Sequence, residues 1–200
     1  MTAGLTCVEF PCADVRHECF IAPELDINPE DVSVVMISEA APQNRGGYYY
    51  AGGDPLFQKT TVCAFNDAGV NVSSIADILK LGVYLTTAVK CAKIGYGIRA
   101  GTVEQCSHLL ERELDAFPNL KVLMLMGDVA IKAVNYIAKR GGDKRVIPAG
   151  PTYKIRGGEY YFKGIRAFPS YLQAGPSFFI EKSKRRMIAE DIAAAMDLVK

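Results

Sequence analysis

Glu39 closes a stretch of little polarity: Val32-Ser33-Val34-Val35-Met36-Ile37, then Ser38-Glu39-Ala40-Ala41-Pro42. An apolar run rich in β-branched residues suits a strand buried on both faces, and the change of character at Ser38 marks its carboxyl end. Open α/β sheets bind ligands outside the carboxyl ends of their strands. Glu39 therefore stands where an acid serves catalysis or binding; a solvated acid in a loop is the competing reading. Downstream, Tyr48, Tyr49 and Tyr50 sit in a Gly- and Pro-rich loop spanning 39–56. Tyrosines among glycines suit a surface that stacks on a flat ligand, or a cluster packed over the sheet edge. Six cysteines make a third group: Cys7, Cys12, Cys19, Cys63, Cys91 and Cys106.

The elements that must position these groups are legible in order. Residues 1–31 have no clear period and carry three of the cysteines among prolines, so an irregular N-terminal segment is expected. A strand follows over 32–38. Phe57, Thr61, Ala64, Phe65 and Ala68 share one face of a helix expected over 56–68, which Gly69 terminates. A short helix is expected over 75–80, capped by Ser73 or Ser74, and then a strand over 83–89 that ends at Lys90-Cys91. Thr102 and Gln105 have the spacing of a capping box that opens the next helix. A buried strand over 122–126 leads to a helix capped by Asp128 and stopped by Gly141. A hairpin turning at Gly157-Gly158, a last strand ending near Pro169, a loop over 172–177 and a helix over 179–199 complete the chain.

Strands alternating with helices imply right-handed crossovers and a parallel sheet. The expected fold is α/β, a three-layer α/β/α sandwich with a central four-stranded parallel sheet. Two hundred residues suit a single domain with a full core. Half of them are hydrophobic and the net charge is +1, a composition that excludes a disordered chain and leaves nucleic-acid binding to a local patch. The apolar runs are too short to span a bilayer. Residues 1–10 lack the basic and apolar regions of a signal peptide, so a cytoplasmic, reducing setting is expected. There, cysteines serve as thiols or metal ligands rather than disulfides.

Four stretches together resemble the uracil-DNA glycosylase superfamily, and within it the iron–sulfur, family four type. They are Ser38-Glu39-Ala40-Ala41-Pro42; Val89-Lys90-Cys91 with Thr102 to Cys106; Leu125-Met126-Gly127-Asp128-Val129-Ala130; and Lys154-Ile155-Arg156-Gly157 with Phe168-Pro169-Ser170-Tyr171. The resemblance covers about residues 32–199 and implies a DNA repair enzyme. Such an enzyme flips a uracil, or another deaminated or damaged base, into a pocket and hydrolyses its N-glycosidic bond. It implies Glu39 as the acid near the sugar, with Ala40, Phe57, Tyr50 and Thr87 around the base. It also implies Phe178 as a wedge between bases, with Lys182, Lys184 and Arg185 beside it on phosphates. The same resemblance implies a [4Fe–4S] cluster with Cys91 and Cys106 as two of its four thiolates; of Cys7, Cys12 and Cys19, the pair Cys7 and Cys12 comes nearer the family's Cys-x-x-Cys spacing and is taken for the other two, reduced core thiols being the competing reading. Action as a monomer on single- or double-stranded DNA is expected.

Two positions depart from the family pattern. Thr87 stands where the family carries an amide that reads the base edge. Leu172, followed by Gln173, stands where it carries a histidine that stabilises the departing base; Gln173 is the nearest side chain able to donate in its place. The alternative is a catalytically altered member that binds a nucleic acid or nucleotide.

Overall fold

A computed structural model describes residues 5–200; the first four positions of the N-terminal segment lie outside the described residues. The chain builds one mixed sheet in the order β1-β3-β2-β4-β6-β5. Its centre is four parallel strands: β2 (Val34–Ala41), β3 (Val83–Lys93), β4 (Val122–Met126) and β6 (Ile165–Ser170). Two short antiparallel strands, β1 (Val15–Arg16) and β5 (Tyr160–Phe162), add an edge on each side. The sheet thus has six strands around the expected four. The edge strands hold two and three residues, too few to show an alternating pattern.

The pleat of β2 divides the core. Val35 and Ile37 pack with Leu123 and Leu125 under α3 (Ala100–Leu114) and α4 (Asp128–Arg140). Val34 and Met36 pack with Met124 and Met126 under α1 (Leu56–Asp67), α2 (Ile75–Lys80) and α7 (Lys182–Asp197). Alternate side chains therefore serve opposite helical layers, and each fully buried Val or Ile contributes about 1.5–3 kcal/mol. Two one-turn helices, α5 (Thr152–Ile155) and α6 (Ser177–Ile180), lie in the connections of the last third. The helix expected over 179–199 is divided between α6 and α7, with Glu181 non-helical between them. Among the described residues no helix is long and apolar enough to cross a membrane.

Four local expectations need correction. Asp128 is the first residue of α4, whose N-cap is Gly127. The hairpin turns at Lys163-Gly164, both at positive φ (50° and 83°), the signature of a two-residue turn matched to strand twist. Gly157 and Gly158 instead follow α5. Thr102 lies inside α3 rather than at its start; the N-cap is Arg99. Asp14, from the N-terminal segment, accepts from the Arg99 N–H at 2.7 Å and from the Thr102 hydroxyl at 2.5 Å, so a distant acid does the work of a local box. Finally, β3 runs on to Lys93 instead of ending at Val89.

The connections place the site. From β2 the chain crosses to β3 through α1 and α2 on one face, and from β4 to β6 through α4 on the other. The crossovers part between β2 and β4, which is where a doubly wound sheet opens a crevice. β2 pairs with β4 from Val34 to Ile37 only. Beyond that point Ser38, Ala40 and Ala41 pair with β3 alone, and the β4 side of the motif is left open.

Candidate active site

β4 stops because Gly127 turns the chain at φ 100°. Its N–H donates back to the Ser170 carbonyl at 2.9 Å, which draws the β4 and β6 ends together. Glu39 and Leu172 then face shared space. Two hollows lie at this edge, both lined by Glu39, Leu172 and Ser177. The larger encloses about 780 Å³ and is bounded by Ala40, Pro42, Phe57, Ile94, Tyr96 and Pro176. The smaller, about 400 Å³, is charged: Asp128, Lys132, Glu181, Lys184 and Arg185 line it.

Glu39 is part of β2 rather than of the following loop. It is not a free acid. Lys93 Nζ donates to its two carboxylate oxygens at 3.0 and 3.1 Å and to the Tyr96 carbonyl at 3.2 Å. Both partners keep partial access to solvent, 21% for Glu39 and 33% for Lys93. Sequence reasoning missed Lys93. Phe57, in the first turn of α1, presents its ring to the larger hollow and packs against Tyr49 at 5.3 Å between centroids. Ala40 lines the same wall. Glu39, Ala40 and Phe57 thus share one cavity.

Other expected members lie elsewhere. Tyr50 does not reach the cavity. Its hydroxyl accepts from the Leu85 N–H at 2.7 Å and donates to the Leu85 carbonyl at 3.0 Å, clamping it to the middle of β3. Thr87 is mid-strand, opposite Ser38 and fully buried, because β3 continues past it. Gln173 is fully buried too and turned inward: its Nε2 donates to the Tyr49 hydroxyl at 3.1 Å and to Met36 Sδ at 3.2 Å. It is therefore not placed to meet a ligand. Tyr49 in turn joins Ser38 Oγ at 2.6 Å. The result is a buried brace between the motif strand and the 172–176 loop, and burial pushes the Tyr49 phenol well above its ordinary pKa.

Phe178 is 2% exposed and packed in the core with Ile188 and Ile192, so it is no wedge. Phe179 and Ile180 are the exposed apolar side chains of that turn. Lys184 pairs with Glu181 at 2.5 Å, and Arg185 pairs with Asp67 while its guanidinium lies over the Phe178 ring. Lys182 is exposed at the start of α7. The Arg156 motif residue joins Asp191 at 2.7 Å, and Ser170 Oγ donates to the same carboxylate at 2.6 Å. This arrangement fastens the 151–158 segment and the end of β6 to α7.

Cys7, Cys12, Cys91 and Cys106 line one small apolar pocket of about 20 Å³ with Phe10, Val15, His17, Phe20, Val89 and Thr102. Burial first, then the neighbouring thiols, pushes Cys91 up to about 12. The Lys90 N–H donates to Cys106 Sγ at 3.3 Å. Cys19 points elsewhere and donates to the Gln43 carbonyl at 3.1 Å. Among the described residues no group of three or more His, Cys, Asp or Glu is arranged to hold a metal ion. The four thiols share the pocket's lining, but its volume is that of about one water rather than of a cluster.

The doubly wound α/β domain places its acid and aromatic ring at the switch point, the position at which open α/β sheets bind ligands. The family model of the uracil DNA glycosylase superfamily matches residues 26–190, and the chain belongs to that superfamily. Among solved structures it is similar to a wild-type UNG crystal structure from Nitratifractor salsuginis, at 11% identity and a TM-score of 0.43, over 83% of this chain and 74% of that one. No curated protein matches the sequence.

Proposed function

We propose that this protein is a DNA base glycosylase that removes uracil, or another deaminated or damaged base, from DNA. The observation that carries the reading is the single cavity shared by Glu39, Ala40 and Phe57 at the switch point. Its volume falls within the usual range of small-ligand sites. A base turned out of the stack would enter this cavity and lie against Phe57. Breaking the C1′–N bond leaves positive charge on the sugar. A fixed carboxylate close by offsets that charge as it forms and orients water for attack. Glu39 supplies the carboxylate, and Tyr49, through Ser38 and Gln173, braces the strand that carries it. The charged hollow beside it holds Lys132, Lys184 and Arg185, paired with Asp128, Glu181 and Asp67, and phosphates on either side of the flipped nucleotide would have to displace those acids.

Cys7, Cys12, Cys91 and Cys106 would hold a [4Fe–4S] cluster, whose thiolate ligation would pin the N-terminal segment to β3 and α3. Leu172 on the cavity wall favours one other reading, a member that binds nucleic acid without cleaving it, because leucine offers a departing base nothing. An oligonucleotide panel separates the two. Abasic product from at least one lesion supports the enzyme, and binding with a steep salt dependence but no product supports the binder.

A further inference from the structure

Cleavage of a base–sugar bond develops two charges, positive on the sugar and negative on the departing base. Glu39 answers the first. The second requires a donor or a cation on the base side of the cavity. Leu172 cannot donate. Gln173 is turned into the core, and Thr87 is fully buried in the middle of β3. Ser38 Oγ is engaged by Tyr49 and the Thr86 carbonyl, and the Gln43 amide donates to the Lys93 carbonyl at 2.7 Å. Lys93 is the one cation among the residues that line the larger cavity.

We propose, on the glycosylase reading above, that Lys93 is the catalytic group that stabilises the departing base. Its Nζ contacts the Tyr96 carbonyl at 3.2 Å in an exposed turn, and that contact is the one a base anion would replace. The bonds to Glu39 are kept. The electron pair of the C1′–N bond leaves with the base, and a Lys93 N–H donates to the anion. Water adds its hydroxyl to C1′, and its proton passes by way of Glu39 to the released base. Glu39 and Lys93 then act as a fixed dipole, negative toward the sugar and positive toward the base. Such a pair is preorganised for charge separation and needs little rearrangement during the reaction.

The test uses single-turnover release from oligonucleotides carrying uracil or 5-fluorouracil, the second being the better leaving group. Wild type, Lys93→Met and Lys93→Arg are compared. Lys93→Met is expected to lose ~10²–10³-fold on uracil and clearly less on 5-fluorouracil, while Lys93→Arg recovers part of the rate. The ratio of the two rates is read on one preparation, so a smaller folded fraction cancels from it. An equal loss on both bases overturns the assignment and leaves the glycosylase reading intact. Release of neither base by the wild type overturns the uracil glycosylase reading and this assignment together.

Discussion

Lys93 Nζ lies 3.0 and 3.1 Å from the two carboxylate oxygens of Glu39, although the residues stand 54 apart in the chain. Parallel pairing of β2 with β3 makes the contact. Ala40 lies opposite Val89, and Ala41 opposite Ala92, with a shift of register between them. The irregularity carries the end of β3 alongside the acid. β1 reinforces it, with Val15 paired antiparallel to Lys93. The N-terminal segment therefore buttresses the site and brings two cysteines to the same end of the sheet.

Phe57 is expected to hold the base by stacking. Base–aromatic stacking contributes ~1–3 kcal/mol, and it acts in the bound state as well as in the transition state. Phe57→Ala should raise KM by about tenfold or more with a smaller change in kcat. Steady-state kinetics on the preferred lesion measures this, and a pure kcat effect would place the ring elsewhere in the mechanism.

Phe178 is a core residue, so Phe178→Ala should destabilise the fold by ~3–5 kcal/mol. Ile180→Ala should leave stability nearly unchanged, since Ile180 is 77% exposed, and should weaken binding to DNA if that turn meets it. Urea denaturation with a binding titration separates the two. A stable Phe178→Ala protein would contradict the packing described here.

The central strands are legible because they are apolar on both faces and long enough to show it, as Val122–Met126 illustrates. What escapes a reading of sequence depends on distant partners. Lys90 reads as the polar end of a strand, yet β3 continues through it. Glu113 meets its ammonium at 2.5 Å with both side chains fully buried, and Tyr84 and Thr86 complete the carboxylate's bonds. A buried charge is tolerated when it is paired and hydrogen-bonded. Phe178 and Phe179 could not be sorted into core and surface, because a helix of one turn has no period to read. Glu39, Ala40 and Phe57 were readable from the motif and helix face; Lys93 was not, since its only signal was a cation two residues beyond a cysteine.

Acid should weaken the fold through Glu111. Burial disfavours its charge, but Arg140, at 2.7 Å, and Lys163 outweigh that and hold the carboxyl below its usual value. A depressed folded pKa contributes stability above the unfolded value and loses it as pH falls through the folded one. Glu111→Gln should therefore cost ~0.5–1 kcal/mol at neutral pH, and the difference from wild type should close as pH falls below the ordinary glutamate range. Denaturant midpoints at the two pH values measure this; a gap independent of pH would remove Glu111 from the account.

Iron and sulfide should follow the pocket thiols. In protein purified without air, Cys91→Ser or Cys106→Ser should lose bound iron, acid-labile sulfide and the visible charge-transfer band, whereas Cys63→Ser keeps them. Wild type devoid of iron and sulfide after expression with ample iron would refute the cluster.

The proposed chemistry turns on Glu39. A panel of oligonucleotides bearing uracil and other deaminated or damaged bases, single- and double-stranded, is incubated with wild type and Glu39→Ala. Wild type should leave abasic product on at least one of them, and Glu39→Ala should do so ~10²–10³-fold more slowly. Equal rates for the two proteins, or no product from any lesion at high enzyme, would contradict it.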